Sequence, residues 1–328
     1  MKRFRLLWIA ALLAGCTAQI REGDFIRPLK GGPLTAEAVA AAAPAYSLAE
    51  HRIPRPDGGQ LYAVHLRHPG ARVTILYFGG NGYTVGRYGA WTASLFAPLG
   101  VDLMIVDHRG YGLSEGRTGI AIMEADALAV FDYLHRLAPE QRIVLHGHSL
   151  GSFIAGHVAA NRPAAGVVLE SSATTTEEWA KVSTPGIAKP FLKVDIADDL
   201  HGRGNLANMA RIEEPLLLLV GAKDGTTPPS LAQGLYAASP LPETRKTLRI
   251  IAGAGHENVM TKPETSRAYS AFLAGIDVPS PGVQALKGEV QLGGTGGVPG
   301  PDGACFRRRN EGPDPAVPSL NPRSLRHA

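Results

Sequence analysis

The stretch that most constrains this chain is Gly147-His148-Ser149-Leu150-Gly151. It follows an apolar run, Ile143-Val144-Leu145, and precedes Phe153-Ile154-Ala155-Gly156, which reads as a helix. Strand, glycine-flanked serine and helix are the setting of a nucleophile elbow, a sharp turn that lifts a serine hydroxyl clear of a sheet. Such a turn strains the serine backbone, so its neighbours must lack bulk. Gly147 and Gly151 supply that room. The Leu150 N–H, at the head of the helix, then points where an oxyanion would form.

The surrounding pattern agrees with a sheet. Val73 to Phe78, Asp102 to Val106, Gly166 to Glu170, Pro215 to Val220 and Thr247 to Ile251 are short apolar runs, the mark of strands buried on both faces. Helical patterns lie between several of them, at Tyr83 to Pro98, 119–137 and after the elbow. A last helix is expected from about Pro263 to Gly275. Ser47 to Pro54 and Leu61 to Arg67 read as a hairpin around Arg55-Pro56-Asp57-Gly58-Gly59. Strands alternating with helices predict an α/β fold with a mostly parallel central sheet covered on both faces. The alternation breaks over about 171–211, read as a small cap insertion, because a long structureless loop inside a compact domain is uncommon.

Sites in such sheets gather at the carboxyl ends of the strands. Serine needs a base to take its proton, and the base needs an orienting acid. His256, in Ala254-Gly255-His256 just past the last strand, is the expected base. His148 is expected to point away from the serine, His146 to be buried in its strand, His157 to lie on the helix and His201 in the cap. Asp224, in Gly221-Ala222-Lys223-Asp224 after the preceding strand, is the expected acid. Glu170, ending the strand that follows the elbow, competes with it. The order Ser149, Asp224, His256 is nucleophile, acid, base. Phe78-Gly79-Gly80-Asn81-Gly82 is expected to supply the second oxyanion donor, the Asn81 N–H first and Gly80 second. No Lys-Ser/Thr follows these glycines, so they do not read as a phosphate loop. No Cys/His cluster has metal spacing and no cofactor is expected.

Together these motifs resemble the α/β-hydrolase superfamily: Gly-His-Ser-Leu-Gly at 147–151, Asp-His-Arg-Gly-Tyr-Gly-Leu-Ser at 107–114, Asp224 and Gly255-His256. Phe-Gly-Gly-Asn-Gly at 78–82 is similar to the Phe-His-Gly-Asn loop of the serine aminopeptidase-like and Bem46-like branch, with Gly79 in place of the histidine. The resemblance covers roughly 46–276. It implies an α/β-hydrolase fold and a structural or loop-fixing role for Asp107 to Ser114.

The ends differ from the body. Lys2, Arg3 and Arg5 precede a short apolar run, Leu6 to Ala14, and then Leu13-Ala14-Gly15-Cys16. The run is too short to span a bilayer. The segment resembles a bacterial lipoprotein signal, which implies export, a lipid anchor on Cys16 and a place on the cell-envelope membrane. Thr17 follows where an acidic residue would hint at inner-membrane retention. With Cys16 lipidated, Cys305 has no partner, so no disulfide framework is expected. Residues 16–45 are read as a tether, 46–278 as the domain, and 279–328, rich in Gly, Pro and Arg, as a disordered tail. The net charge of +4 sits at the ends, +3 in residues 1–15 and +2 in 279–328, which leaves −1 for the rest. The body therefore gives no reason to expect a nucleic-acid partner.

Three functions fit. The first is an ester or thioester hydrolase acting on lipid or small acyl substrates. The second is a serine peptidase, for which cap carboxylates such as Asp195, Asp198 or Asp199 would hold a substrate amine. The third is a non-catalytic binding protein on a hydrolase scaffold, and the complete Ser, Asp and His set speaks against it.

Overall fold

The computed structural model describes residues 16–184 and 192–277. The expected signal segment at 1–15, the centre of the expected cap and the expected tail at 279–328 lie outside them. The described strands are β1 (Cys16–Ile20), β2 (Ser47–Pro54), β3 (Gln60–Arg67), β4 (Val73–Phe78), β5 (Asp102–Val106), β6 (Arg142–His148), β7 (Gly166–Glu170), β8 (Leu192–Ile196), β9 (Leu216–Gly221) and β10 (Lys246–Ile251). Eight of them form one sheet in the order β10-β9-β7-β6-β4-β5-β3-β2. The β2–β3 and β3–β5 pairs are antiparallel and the others parallel.

Side chains alternate across the strands and so feed two cores. Leu76, Phe78, Leu145, Leu169 and Leu218 pack on one face with α4 (Ile120–Leu137) and α5 (Leu150–Ala159). Ile75, Tyr77, Val144, Val168 and Leu217 pack on the other with α3 (Val85–Phe96) and α9 (Pro263–Asp277). A sheet covered on both faces is why its central strands carry no polar period. Between β9 and β10 lies α8 (Pro229–Ala238), which the sequence pattern does not predict.

Residues 16–45 do not form the expected tether. After the short α1 (Glu22–Phe25), Ile26 and Leu34 are buried, and α2 (Ala36–Ala42) buries Val39 beside Ala43. The Leu34 N–H donates to the Tyr62 hydroxyl (3.2 Å), the Gly112 N–H to the Leu29 carbonyl (2.7 Å), and Thr35 caps α2. Ala36 to Ala43 carries a helical signal, with Val39 and Ala43 at i, i+4, but Ile26 and Leu34 are parted by Pro28, Gly31, Gly32 and Pro33, so pattern reading misses those two while tertiary burial claims them.

The cap holds α6 (Thr176–Ser183), β8 and α7 (Leu206–Met209). β8 pairs in parallel with β1, so the N-terminal strand is joined to the insertion. The Trp179 indole donates to the Thr226 carbonyl (2.9 Å), which ties the cap to the loop after β9.

Candidate active site

Ser149 sits between β6 and α5 at φ 52° and ψ −118°, a left-handed strain for a residue with a side chain. The crossing geometry explains its flanking glycines. A methyl group at Gly147 would overlap the Gly151 carbonyl, and one at Gly151 would overlap the Phe78 carbonyl. Ser171, past the end of β7, is likewise strained at φ 52°.

The three expected residues meet. The His256 Nε2 lies 2.9 Å from the Ser149 Oγ, and the His256 Nδ1 lies 2.9 and 3.0 Å from the two Asp224 carboxylate oxygens. Asp224 is held in turn. The Thr226 and Thr227 N–H groups donate to its Oδ1 (2.9 and 2.8 Å), and the Thr227 hydroxyl donates to its Oδ2 (2.9 Å). Burial pushes the Asp224 carboxyl up, but the His256 hydrogen bond and the Thr227 N–H outweigh it and hold the group below its ordinary value. Burial disfavours the charged form of His256, yet its hydrogen bond to Asp224 and that carboxylate's charge leave the imidazole above its ordinary value. A carboxylate on Nδ1 fixes the tautomer in which Nε2 is free to accept the serine proton.

The competing acid is elsewhere. Glu170 accepts from the His146 Nε2 (3.1 Å), and the other ring nitrogen of His146 meets the Tyr269 hydroxyl (3.1 Å). His146 is buried in its strand, and burial holds it below its ordinary value. His148 does not point away as expected. Its ring stands 5.2 Å from that of His256, and its Nε2 donates to the His256 carbonyl (3.0 Å). Sequence reasoning missed Thr227 and His148 as supports of the site. The Asp-Gly-Thr-Thr run at 224–227 is the signal for Thr227, since an Asp followed by turn residues binds backbone and hydroxyl donors two and three residues on.

Gly80 and Asn81 line the same cavity as Ser149 and Leu150. A side chain at Gly80 would press on the His148 Nδ1 (3.0 Å) and the Ser149 Cβ (3.3 Å), so only glycine lets this loop approach the elbow so closely. Leu150 opens α5, where the first N–H groups have no intrahelical acceptor. The Asn81 Oδ1 accepts from the Arg27 N–H (2.8 Å) and the Tyr111 hydroxyl (3.0 Å). The buried His108 donates from Nε2 to the Gly79 carbonyl (3.0 Å). Asp107 receives the N–H groups of Val85 (2.7 Å) and Leu113 (2.9 Å). The Asp107 to Ser114 stretch thus fixes loops around the site.

The cavity measures about 840 Å³ and runs from Ser149 toward α3, with Trp179 and Thr226 on its cap side. Asp195, Asp198 and Asp199 are exposed and outside its lining. His157 lies 3.9 Å from Glu124, and His201 pairs with Glu177 on the surface (3.0 Å). His148, His256 and Glu257 bring potential metal-ligand atoms within 4.8 Å of one another. Ser149 and Asp224 already occupy both ring nitrogens of His256. Cys16 opens β1, and no helix among the described residues is long and apolar enough to cross a membrane.

The serine aminopeptidase S33 family matches residues 69–203. An uncharacterized protein of Mycobacterium tuberculosis is 30% identical over 162 residues, 49% of this chain and 54% of that protein. The lysophosphatidylserine lipase ABHD12 of Rattus norvegicus is 28% identical over 224 residues, 61% of this chain and 55% of that protein. The chain thus spans about half the length of the curated relatives it matches. Among solved structures, an esterase of Pyrococcus furiosus aligns with a TM-score of 0.60 at 18% identity, covering 76% of this chain and 98% of that one. Sheet order, strained elbow and the structural match show that the chain has an α/β-hydrolase fold.

Proposed function

We propose that the protein is a serine hydrolase that cleaves carboxylic ester or thioester bonds through an acyl-enzyme on Ser149. The observation that carries this reading is the unbroken relay from Ser149 Oγ through His256 to Asp224. His256 Nε2 takes the hydroxyl proton as Ser149 attacks the carbonyl carbon. The N–H groups of Leu150 and Asn81, with Gly80 as the second candidate in that loop, hold the oxyanion. The proton on His256 passes to the leaving alcohol or thiol. Water, giving a proton to His256, then attacks the acyl-enzyme, and that proton passes from His256 to the Ser149 Oγ as its bond to the acyl carbon breaks and the acid leaves. Asp224 holds the imidazole and stabilises its charge throughout.

The name of the lipase relative supports ester chemistry. The peptidase reading loses the support assigned to the cap, because Asp195, Asp198 and Asp199 do not line the cavity. Hydrolysis of p-nitrophenyl butyrate against leucine p-nitroanilide tests the choice. An ester rate more than a hundredfold higher is expected, with a burst of p-nitrophenol equal to the enzyme present. Dominant anilide cleavage would replace this reading with the peptidase one.

We further propose that Cys16 carries the lipid that holds the enzyme on the envelope membrane. The supporting observation is the basic, apolar, small-residue run that ends at Cys16. Cys16→Ala is expected to move the protein from the membrane fraction to the soluble one. An unchanged distribution would remove the anchor.

A further inference from the structure

The triad leaves one buried group of the cavity unused. Glu170 lines the wall beyond Ser149, and its side chain is 5% exposed. One carboxylate oxygen accepts from His146, and the other has no protein donor among the described residues. A carboxylate offers about four acceptor positions. Burying one with a single hydrogen bond costs free energy unless a cation or further donors reach it. No Lys or Arg pairs with Glu170 among the described residues. Its one donor, His146, is held toward the neutral form by burial. Among the described residues Arg27 is the one Lys or Arg in the cavity lining, and it is exposed, with Asp24 close by in sequence.

A second group faces the same space. Tyr77 is 5% exposed and lines the cavity, and its hydroxyl has no hydrogen-bond partner among the described residues. Its neighbour Tyr83 differs, because that hydroxyl is taken by Thr92 (2.7 Å). The ring of Tyr83 stands 5.5 Å from that of Tyr77 and 5.4 Å from that of Tyr88, and all three line the cavity, so the same wall offers aromatic surface. Aromatic faces and a carboxylate that has only histidines near it, and no Lys or Arg partner among the described residues, attract the same ligand class, an organic cation.

We infer that Tyr77 and Glu170 form a subsite for a protonated amine carried by the substrate, beside Ser149 on the α3 side of the cavity. The ammonium would donate to the free oxygen of Glu170 and to the Tyr77 hydroxyl, and its carbon stem would lie against Tyr83 and Tyr88. A plain acyl chain in the same place would desolvate the carboxylate without replacing its hydrogen bonds. This inference rests on the reading of the cavity as the substrate site, but it does not require the serine to react.

The test therefore uses the full chain carrying Ser149→Ala. Trp91 and Trp179 line the cavity, so their fluorescence reports occupancy. Titration with n-butylammonium is compared with titration by n-butanol, which has the same stem and no charge. Butylammonium is expected to bind at least tenfold tighter. Adding Glu170→Gln should bring the two within about twofold, and adding Tyr77→Phe should shrink the preference severalfold. If Glu170→Gln fails to fold, as judged by its melting curve, Tyr77→Phe carries the test. No saturable response to butylammonium, an equal response to butanol, or a preference that survives substitution overturns the subsite. Failure of the catalytic reading shows separately, as a parent chain that cleaves no ester.

Discussion

Replacing Asp224 with Asn tests the relay at its least exposed member. The Asn Oδ1 keeps the N–H groups of Thr226 and Thr227, which donate to Asp224 Oδ1 at 2.9 and 2.8 Å, so the loop should hold its shape. The amide nitrogen then replaces Oδ2, 2.9 Å from the His256 Nδ1. An amide N–H facing Nδ1 favours the tautomer with the proton on Nε2, and that nitrogen can no longer accept from Ser149. Loss of the acid in this arrangement costs about 10⁴ in kcat in a comparable triad, or about 5.4 kcal/mol of transition-state stabilisation. The assay is p-nitrophenyl butyrate hydrolysis with a melting curve alongside. We expect kcat to fall about 10³- to 10⁴-fold with KM and melting temperature nearly unchanged. A folded variant that retains a tenth or more of the parent kcat would refute the reasoning, and Glu170 would return as the candidate acid.

Three further outcomes follow from the same geometry. Gly151→Ala should abolish folding or lower the melting temperature sharply, since its methyl group meets the Phe78 carbonyl; a variant with parental melting would show the elbow to be looser. Leu34→Ala, at a position 2% exposed, should cost about 2–5 kcal/mol in denaturant unfolding, whereas a residue in a free tether would cost nothing. The base must be neutral to act, and Asp224 holds the His256 imidazole above its ordinary value of 6.5. The kcat/KM profile should therefore rise with pH through a midpoint above that value, and a midpoint below it would contradict the Asp224–His256 pairing.

The chemistry was legible in this sequence because strained turns demand particular residues. Gly147 and Gly151 have no substitutes at the crossing they make, and the apolar runs of β4, β5 and β7 match the observed strands residue for residue. Both Asp224 and Glu170 follow a strand of the same sheet, and the Gly and Pro residues of the 224–228 loop, which can turn a carboxylate back over the sheet, favour Asp224. The fold shows that Asp224 reaches His256 while Glu170 reaches His146. The packing of residues 22–43 was hidden. Ile26 packs into one core while Leu34 and Val39 pack into the other, and Gly and Pro break the local pattern between Ile26 and Leu34. The pairing of β1 with β8 likewise depends on a partner more than 170 residues away.

The central claim is that Ser149 is an activated nucleophile, and covalent labelling tests it most directly. The parent chain and Ser149→Ala are each exposed to a fluorophosphonate probe and analysed by mass spectrometry. The account requires one stoichiometric adduct, on Ser149, in the parent and none in the variant. A folded parent that takes up no probe, or a variant labelled as fully as the parent, would contradict it.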